Sequence, residues 1–236
     1  MTQQASGIGV KAWLVRLAGV ALLLGAFGTG ATPATSASLA ACDAEGFASV
    51  LQALPSQPAL PASAYWLSGD LLQWPAVQAA GQFKLYHAHS GQMVVQAGLP
   101  VTGADGALAL APVSDDTLTQ GSERFRYFGA GVRLALAPQD RASMAALHTG
   151  QLVLAQEDPQ GRVLQATRVQ AAGALDALFG ERARRSELGV SVSAGQTRFA
   201  LWAPTAQAVA VCRYASGTSP ALAITPLRRD PQSGVW

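Results

Sequence analysis

A series of short β-favouring segments between residues 64 and 170, separated by turn signals, constrains this chain more than any other feature. Residues 82–88 alternate apolar and polar side chains, as a half-buried strand does. Residues 151–156 and 162–169 flank the turn sequence Asp158-Pro159-Gln160-Gly161 and predict the clearest hairpin. Several short strands at this spacing predict an antiparallel β-sandwich.

Weaker signals extend the same pattern. Residues 124–128 are predicted to pair with residues 132–136 across Gly129-Ala130-Gly131. Residues 93–97 read as a return strand, and residues 139–147 predict one short helix.

A helical connector is predicted over residues 171–185, and a second β unit begins at Leu188. Its strands are predicted at residues 189–192, 197–202, 208–214 and 221–227. The turn signal Asp230-Pro231-Gln232-Ser233-Gly234 is followed by β-favouring Val235-Trp236, so we expect a new strand to start there. We therefore expect the chain to be the front end of a larger protein, with the second β unit truncated.

The N-terminal segment is typical of an export signal. Lys11 and Arg16 precede an apolar run over residues 17–27, which is shorter than the roughly 20 residues that span a bilayer. Ser38-Leu39-Ala40 suits an ordinary signal peptidase, whereas Leu39-Ala40-Ala41-Cys42 resembles a bacterial lipobox whose cysteine becomes lipidated. Both alternatives stay open, and they predict a periplasmic, secreted or lipid-anchored cell-surface protein.

The chain has two cysteines, Cys42 and Cys212. The strand pattern around Cys212 favours a small buried side chain with a free thiol. The alternative is a disulfide to Cys42, which an oxidising compartment would permit if Cys42 carries no lipid.

Charge excludes some partners. Residues 1–42 contain two basic and no acidic residues, and the remainder of the 16 basic residues balances the 14 acidic ones. A neutral body lacks the basic stripe of a nucleic-acid-binding protein, so we expect no nucleic-acid partner and no electrostatic docking to anionic membranes. After processing we expect no transmembrane span.

No catalytic constellation and no metal site is predicted. Asp115 and Asp116 are adjacent, so on a strand they would point to opposite faces, unlike the facing carboxyls of a glycosidase. His87 and His89 are two residues apart and could share a strand face, but no third metal ligand accompanies them. We expect them at a half-exposed strand end.

Aromatic residues offer the best candidates for binding. Those of the first β unit are Trp66, Trp74, Tyr86, Phe125, Tyr127 and Phe128. A buried ring packs a core, whereas an exposed ring can stack on the apolar face of a sugar. Trp74 is the candidate for exposure because Pro75 follows it and is expected to end its strand.

Two sequence stretches carry a family resemblance. Residues 188–206, with Phe199-Ala200-Leu201-Trp202-Ala203-Pro204-Thr205-Ala206, strongly resemble the start of a family 48 carbohydrate-binding module. Residues 64–75 and Phe83-Lys84-Leu85-Tyr86 resemble the N-terminal β domain of secreted bacterial pullulanases.

The resemblance implies the N-terminal part of a pullulanase-type α-1,6-glucosidase, a glycoside hydrolase that debranches pullulan, starch or glycogen. It implies α-glucan as the partner, no cofactor in this part and calcium in the parent enzyme, and a core-packing role for Trp202. Two carboxylates of a TIM-type barrel, outside these residues, would perform retaining hydrolysis. The alternative is a non-catalytic exported carbohydrate-binding or structural protein.

The expected fold class is therefore mainly β, with two tandem immunoglobulin-like β-sandwiches, the second truncated. The expected domains are, in chain order, an export signal at 1–41, a short helix with a proline-rich linker at 42–63, a pullulanase N-terminal β-sandwich at 64–172, a helical connector at 173–187 and the family 48-like module at 188–236.

Overall fold

The computed structural model describes residues 39–44, 59–114, 125 and 127–236. The export signal before residue 39, the helix predicted after residue 44, most of the linker, and Asp115 and Asp116 lie outside the described residues. Within the described ranges, no helix has the length and apolarity needed to cross a membrane.

Seven strands of the first β unit form one closed ring of hydrogen-bonded pairs, in the order β1-β2-β5-β4-β3-β6-β7. The strands are β1 Ala64–Trp66, β2 Leu71–Pro75, β3 Gln82–Ala88, β4 Gly106–Val113, β5 Gly131–Leu136, β6 Gln151–Glu157 and β7 Val163–Gln170. Neighbours pair antiparallel except β1 and β7, whose parallel pairing closes the ring.

The prediction of a mainly β fold is confirmed, but the ring differs from the expected sandwich of two separate sheets. The three-residue strand β1 causes the difference, because it pairs with β2 on one side and with β7 on the other. Ring closure leaves no free edge to these strands, and free edges are what invite unwanted pairing.

Two apolar layers stabilise the ring. Inside it, Trp66, Leu72, Leu85 and Leu134 are fully buried, and each such side chain contributes about 1.5–3 kcal/mol of transfer free energy. A second cluster lies outside β3 and β6, where Met93 and other loop residues cover the strands' outward-facing side chains. This outer cover explains why β6 is buried on both faces.

Two predicted strands are absent from the structure. Residues 93–97 make only the isolated bridge Val94–Thr102. Of residues 124–128, the described Phe125, Tyr127 and Phe128 lie in a loop instead of pairing with β5. Both edges of β5 are already occupied, by β2 and by β4.

The helical predictions are confirmed in shorter pieces. A 3-10 helix at Pro138–Ser143 leads into α1, Met144–Leu147. The connector comprises α2, Ala172–Leu175, one π-helical turn at Asp176–Gly180, and α3, Glu181–Ala183.

The second β unit consists of two hairpins, and its four predicted strands are confirmed. The first hairpin pairs β8, Gly189–Ser193, with β9, Gln196–Ala200; the second pairs β10, Ala210–Tyr214, with β11, Ala221–Pro226. Ala194 and Gly195 form the two-residue turn of the first hairpin, both with positive φ (47° and 78°), as hairpins twisted in the usual sense require.

A short 3-10 helix at Leu39–Asp43 lies against β11 and carries Cys42. Cys42 forms a disulfide with Cys212 of β10, across 170 residues of sequence. The expectation of a free buried thiol at Cys212 is therefore wrong. The strand pattern correctly placed Cys212 in a strand, where it is half-buried rather than buried, but could not show that a segment from before the ring packs beside it.

Candidate functional site

Trp74 does not provide a sugar-binding platform in this structure. Its side chain is only 4% exposed and belongs to the apolar core inside the ring. The expected exposure is wrong because Pro75 does not end the strand at an open edge. Pro75 is the last residue of β2 and pairs with Gly131. An indole side chain buried in this way has no exposed face for a ligand.

A different group of aromatic residues, called here the aromatic cluster, comprises the contacting rings of Tyr65, Phe125 and Phe128 and the exposed Tyr127, which directly precedes Phe128 in sequence. The rings of Tyr65 and Phe128 stack with centroids 3.8 Å apart, and Phe125 packs 5.4 Å from Phe128. Tyr127 is 81% exposed, the largest fraction for any bulky apolar or aromatic side chain in the described ranges. Tyr127 can therefore offer a ring face to a ligand.

The backbone next to the aromatic cluster is anchored to the ring of strands. The buried Gln73 side chain donates a hydrogen bond to the Gly129 carbonyl oxygen at 2.8 Å. The Ala76 N–H donates to the Ala130 carbonyl, also at 2.8 Å. A Cβ at Gly131 would overlap the carbonyl oxygen of Trp74, so only glycine permits this close approach. These contacts hold residues 129–131 against β2.

Sequence reasoning named three members of the cluster but selected Trp74 over them. It missed Tyr65, which precedes Trp66 in the shortest strand and is brought to the loop only by the pairing of β1 with β2. The glycines in Gly129-Ala130-Gly131 are the sequence signal that could have marked the loop, since they read as a turn rather than as a strand continuation.

The two histidines lie at the end of β3 and just beyond it. His87 is half-buried within β3, and His89 is exposed just beyond it, as predicted. The His89 N–H donates to the Asp105 carboxylate at 2.6 Å, and its carbonyl oxygen accepts from Gln207 at 3.0 Å. Gln207 thereby joins the second β unit to the ring.

The resemblance implies calcium for the parent enzyme. Across the described ranges, no group of three or more His, Cys, Asp or Glu side chains is placed to hold a metal ion. We derive no step through a metal ion for this part of the chain.

A buried charge cluster lies where β3 meets β6. Glu157 is fully buried, with its carboxylate 2.7 Å from the Lys84 ammonium and 2.5 Å from the Tyr86 hydroxyl that donates to it. The bond to Glu157 raises the pKa of Lys84. Burial, followed by the bond to Glu157, raises the pKa of Tyr86. Because the carboxylate is sealed from solvent, this cluster links strands and cannot reach a substrate.

A polar cleft of about 440 Å³ lies between the connector and the turn before Trp236. Its lining side chains are charged or hydroxylic: Glu181, Arg182, Arg185, Ser186, Asp230 and Ser233. The carboxylates already have partners, because Glu181 accepts from Arg185 at 2.5 Å and Asp230 accepts from Ser233 at 2.5 Å. The Ser233 hydroxyl lowers the pKa of Asp230. Both carboxylates thus stabilise local structure.

Trp202 and Trp236 join the two ends of the second β unit. The Trp202 indole N–H donates to the Ser233 carbonyl oxygen, and the Trp236 indole N–H donates to that of Ala203, each at 2.9 Å. Leu201 and Trp236 also exchange two backbone hydrogen bonds. Trp202 is half-buried and held by its nitrogen, in keeping with a structural role.

Comparison with known proteins identifies both β units. Residues 61–177 match the family described as the Pullulanase N2 domain. Residues 187–236 match carbohydrate-binding module 48, described as the isoamylase N-terminal domain.

Individual relatives agree with these matches. A pullulanase of Klebsiella pneumoniae is 32% identical over 74% of this chain and 15% of its own length. Chloroplastic pullulanase 1 of Arabidopsis thaliana is 30% identical over 73% of this chain and 17% of its own. The maltotriose complex of PulA from K. pneumoniae superposes with a TM-score of 0.64 at 28% identity, covering 76% of this chain and 18% of that one.

The chain thus spans less than a fifth of the length of these relatives. The two matched segments follow one another along the chain and contain the strands described above. Residues 61–177 belong to the Pullulanase N2 domain family, and residues 187–236 belong to the carbohydrate-binding module 48 family.

Proposed function

We propose that this chain supplies an α-glucan-binding accessory region to a pullulanase-type debranching enzyme that hydrolyses α-1,6-glucosidic bonds. The observation that carries the proposal is the presence, in order, of a Pullulanase N2 domain and a carbohydrate-binding module 48. Relatives named pullulanases support it, among them a PulA structure described as a maltotriose complex. Pullulan, starch and glycogen are the expected polymers.

We assign no hydrolytic step to the residues of the two domains. Three carboxylates described above, those of Glu157, Glu181 and Asp230, accept hydrogen bonds from neighbouring side chains. Retaining hydrolysis requires two carboxyl groups about 5–5.5 Å apart, facing a bound sugar. The contribution of this region is therefore binding and positioning of the polymer.

The aromatic cluster is the proposed contact with glucan in the N2 domain. A pyranose presents an apolar face of C–H groups, and the exposed ring of Tyr127 can stack against it. The phenolic hydroxyl can exchange hydrogen bonds with sugar hydroxyls at the edge of the stack. This chemistry is selective for a sugar ring but tolerant of the polymer's length.

Export is part of the same proposal. Lys11 and Arg16 precede an apolar run of signal-peptide length. The disulfide between Cys42 and Cys212 supports maturation in an oxidising compartment. The polymers named above are too large to cross a membrane, which favours an enzyme that meets them outside the cytoplasm.

Affinity electrophoresis of the full chain in native gels containing pullulan tests this proposal. We expect the wild-type chain and Tyr127→Phe to be retarded, and Tyr127→Ala to bind about tenfold more weakly, because one stacking contact contributes on the order of 1–1.5 kcal/mol. Leu164→Ala is the matched control, since Leu164 is a 54% exposed side chain on the same ring of strands. Unretarded migration of the wild-type chain would refute glucan binding by these domains.

A further inference from the structure

The disulfide joins two segments that lie on either side of the ring of strands in sequence. Cys42 belongs to the 3-10 helix before the ring, and Cys212 is the central residue of β10 after it. Their Cα atoms are 5.9 Å apart, and Cys42 is only 8% exposed. The separation is within the usual range for a disulfide, so the bond needs no rearrangement of either segment.

Hydrogen bonds independent of the sulfurs hold the same two segments together. The Tyr214 hydroxyl donates to the Cys42 carbonyl oxygen at 2.6 Å. The Ala221 N–H donates to both carboxylate oxygens of Asp43, at 3.0 and 3.2 Å. Asp43 thus accepts the hydrogen bond of the first backbone N–H of β11. Within the described part of the chain, β11 pairs with β10 and with no other strand.

We propose that Cys42 is a disulfide residue rather than a lipid attachment site, and that the bond fixes the segment carrying Cys42 and Asp43 as a covalent cap on the β10–β11 hairpin. A lipoprotein cysteine carries its lipid as a thioether on Sγ, and that atom is already bonded to Cys212 in this structure. The two modifications exclude each other. Signal cleavage at or before the Ala40–Ala41 bond leaves Ala41, Cys42 and Asp43 in the mature chain, where they form the cap.

Formation of the bond is a two-electron oxidation. The thiolate of one cysteine attacks the disulfide of an oxidant and forms a mixed disulfide with it. The thiolate of the second cysteine then attacks this mixed disulfide and releases the oxidant as a dithiol. Two thiols become one disulfide, and the two protons and two electrons leave with the reduced oxidant. Because Asp43 and Tyr214 hold the segments together beforehand, they raise the effective concentration of one thiol near the other.

Mass spectrometry of the exported full-length chain tests the proposal directly. We expect a peptide containing Cys42 linked to one containing Cys212, an unmodified N-terminus at or before Ala41, and uptake of thiol-alkylating reagent only after reduction. A diacylglyceryl group on Cys42, or two free thiols in the folded exported chain, would overturn it. The cytoplasmically expressed chain, oxidised in vitro with oxidised glutathione, should form the same link, which separates failure of the cap from failure of export.

The role of the cap is tested by equilibrium with glutathione buffers. Asp43→Ala and Tyr214→Phe should each shift the dithiol–disulfide equilibrium toward the dithiol by about fivefold, the usual effect of one hydrogen bond. Leu222→Ala is the control, because Leu222 follows Ala221 on the same strand but is 65% exposed. Equal equilibria for wild type, Asp43→Ala and Tyr214→Phe would refute the cap even if the disulfide forms. Neither result depends on glucan binding.

Discussion

Acid should destabilise the ring of strands through one histidine. His148 follows α1 and is only 5% exposed, with its imidazole edge-on to the buried Trp66 at 5.6 Å between centroids. No hydrogen-bond partner for its Nε2 is found among the described residues. Burial therefore lowers the pKa of His148 from 6.5 to about 4, because the imidazolium would lose its hydration without gaining a counter-charge.

The sign of the pH effect follows from proton binding. Below a pH of about 6.5 the unfolded chain binds a proton at His148, while the folded chain remains neutral there until about pH 4. The stabilising contribution of His148 is thus fully present above the pKa of the unfolded chain. It falls as the pH drops from about 6.5 to about 4, and it levels off below the pKa of the folded chain. Linkage gives a loss of about 2 kcal/mol between about pH 7 and about pH 4.5, a sizeable part of the 5–15 kcal/mol typical of a folded domain.

Urea unfolding of the wild-type chain and of His148→Gln, each at both pH values, isolates this contribution. Fluorescence of the buried Trp66 and Trp74 reports the transition. Carboxylates that titrate near pH 4.5 act on both proteins and cancel in the difference between them. We expect the free energy of unfolding of the wild type to fall by about 2 kcal/mol more than that of the variant. The same pH dependence in both proteins would refute the reasoning.

Three further predictions concern stability. Gly131→Ala should lower the melting temperature of the ring by several degrees, because its Cβ would overlap a carbonyl oxygen of β2. Gly129→Ala is the control, since a Cβ at that position meets open space. Equal melting temperatures for the two variants would contradict this prediction. Lys84→Met should reduce the urea-unfolding free energy by at most about 3 kcal/mol, because Glu157 stays buried without its counter-charge, and unchanged stability would count against the ion pair. Amide hydrogen exchange should be faster in residues 188–236 than in the ring, and strong protection throughout that range would disprove the expectation.

The exchange prediction has a structural cause. β8 and β9 form a two-stranded sheet, and one face of that hairpin exposes apolar side chains. Leu188, Val190, Val192 and Leu201 are each at least half exposed, and Phe199 is 36% exposed. A two-stranded hairpin without apolar cover is only marginally stable in water. The ring, by comparison, buries both faces of β6.

Local pattern was sufficient to predict the elements that depend on near neighbours. Phe83 and Leu85 alternate along β3 and are both buried, as the period of two requires. The β6–β7 hairpin follows directly from the Asp158-Pro159 turn, whose Asp158 carboxylate accepts N–H bonds from Gln160 and Arg162. Such turns carry their own hydrogen bonds, so their sequence is informative without knowledge of the fold.

Distant pairing determined what the sequence could not show. Trp74 is buried because β2 lies between β1 and β5, and neither pairing is encoded near residue 74. Tyr127 is exposed because β5 is taken by β2 and β4, which leaves the preceding aromatic segment outside the sheet. The disulfide likewise depends on packing across 170 residues. The set of candidate aromatics was therefore predictable, whereas the choice among them was not.

The sequence signature of the second β unit explains why family membership was easier to predict than binding residues. Its two recognisable segments, residues 199–206 and residues 230–236, are the two sides of one structural joint. Trp202 bonds to Ser233, Trp236 bonds to Ala203, and Gly234 has a φ of 68° with no room for a Cβ beside Pro204. These signature residues thus serve architecture, and architecture requires particular residues at fixed spacing. The proposed sugar contact at Tyr127 requires only an exposed ring, which needs no motif.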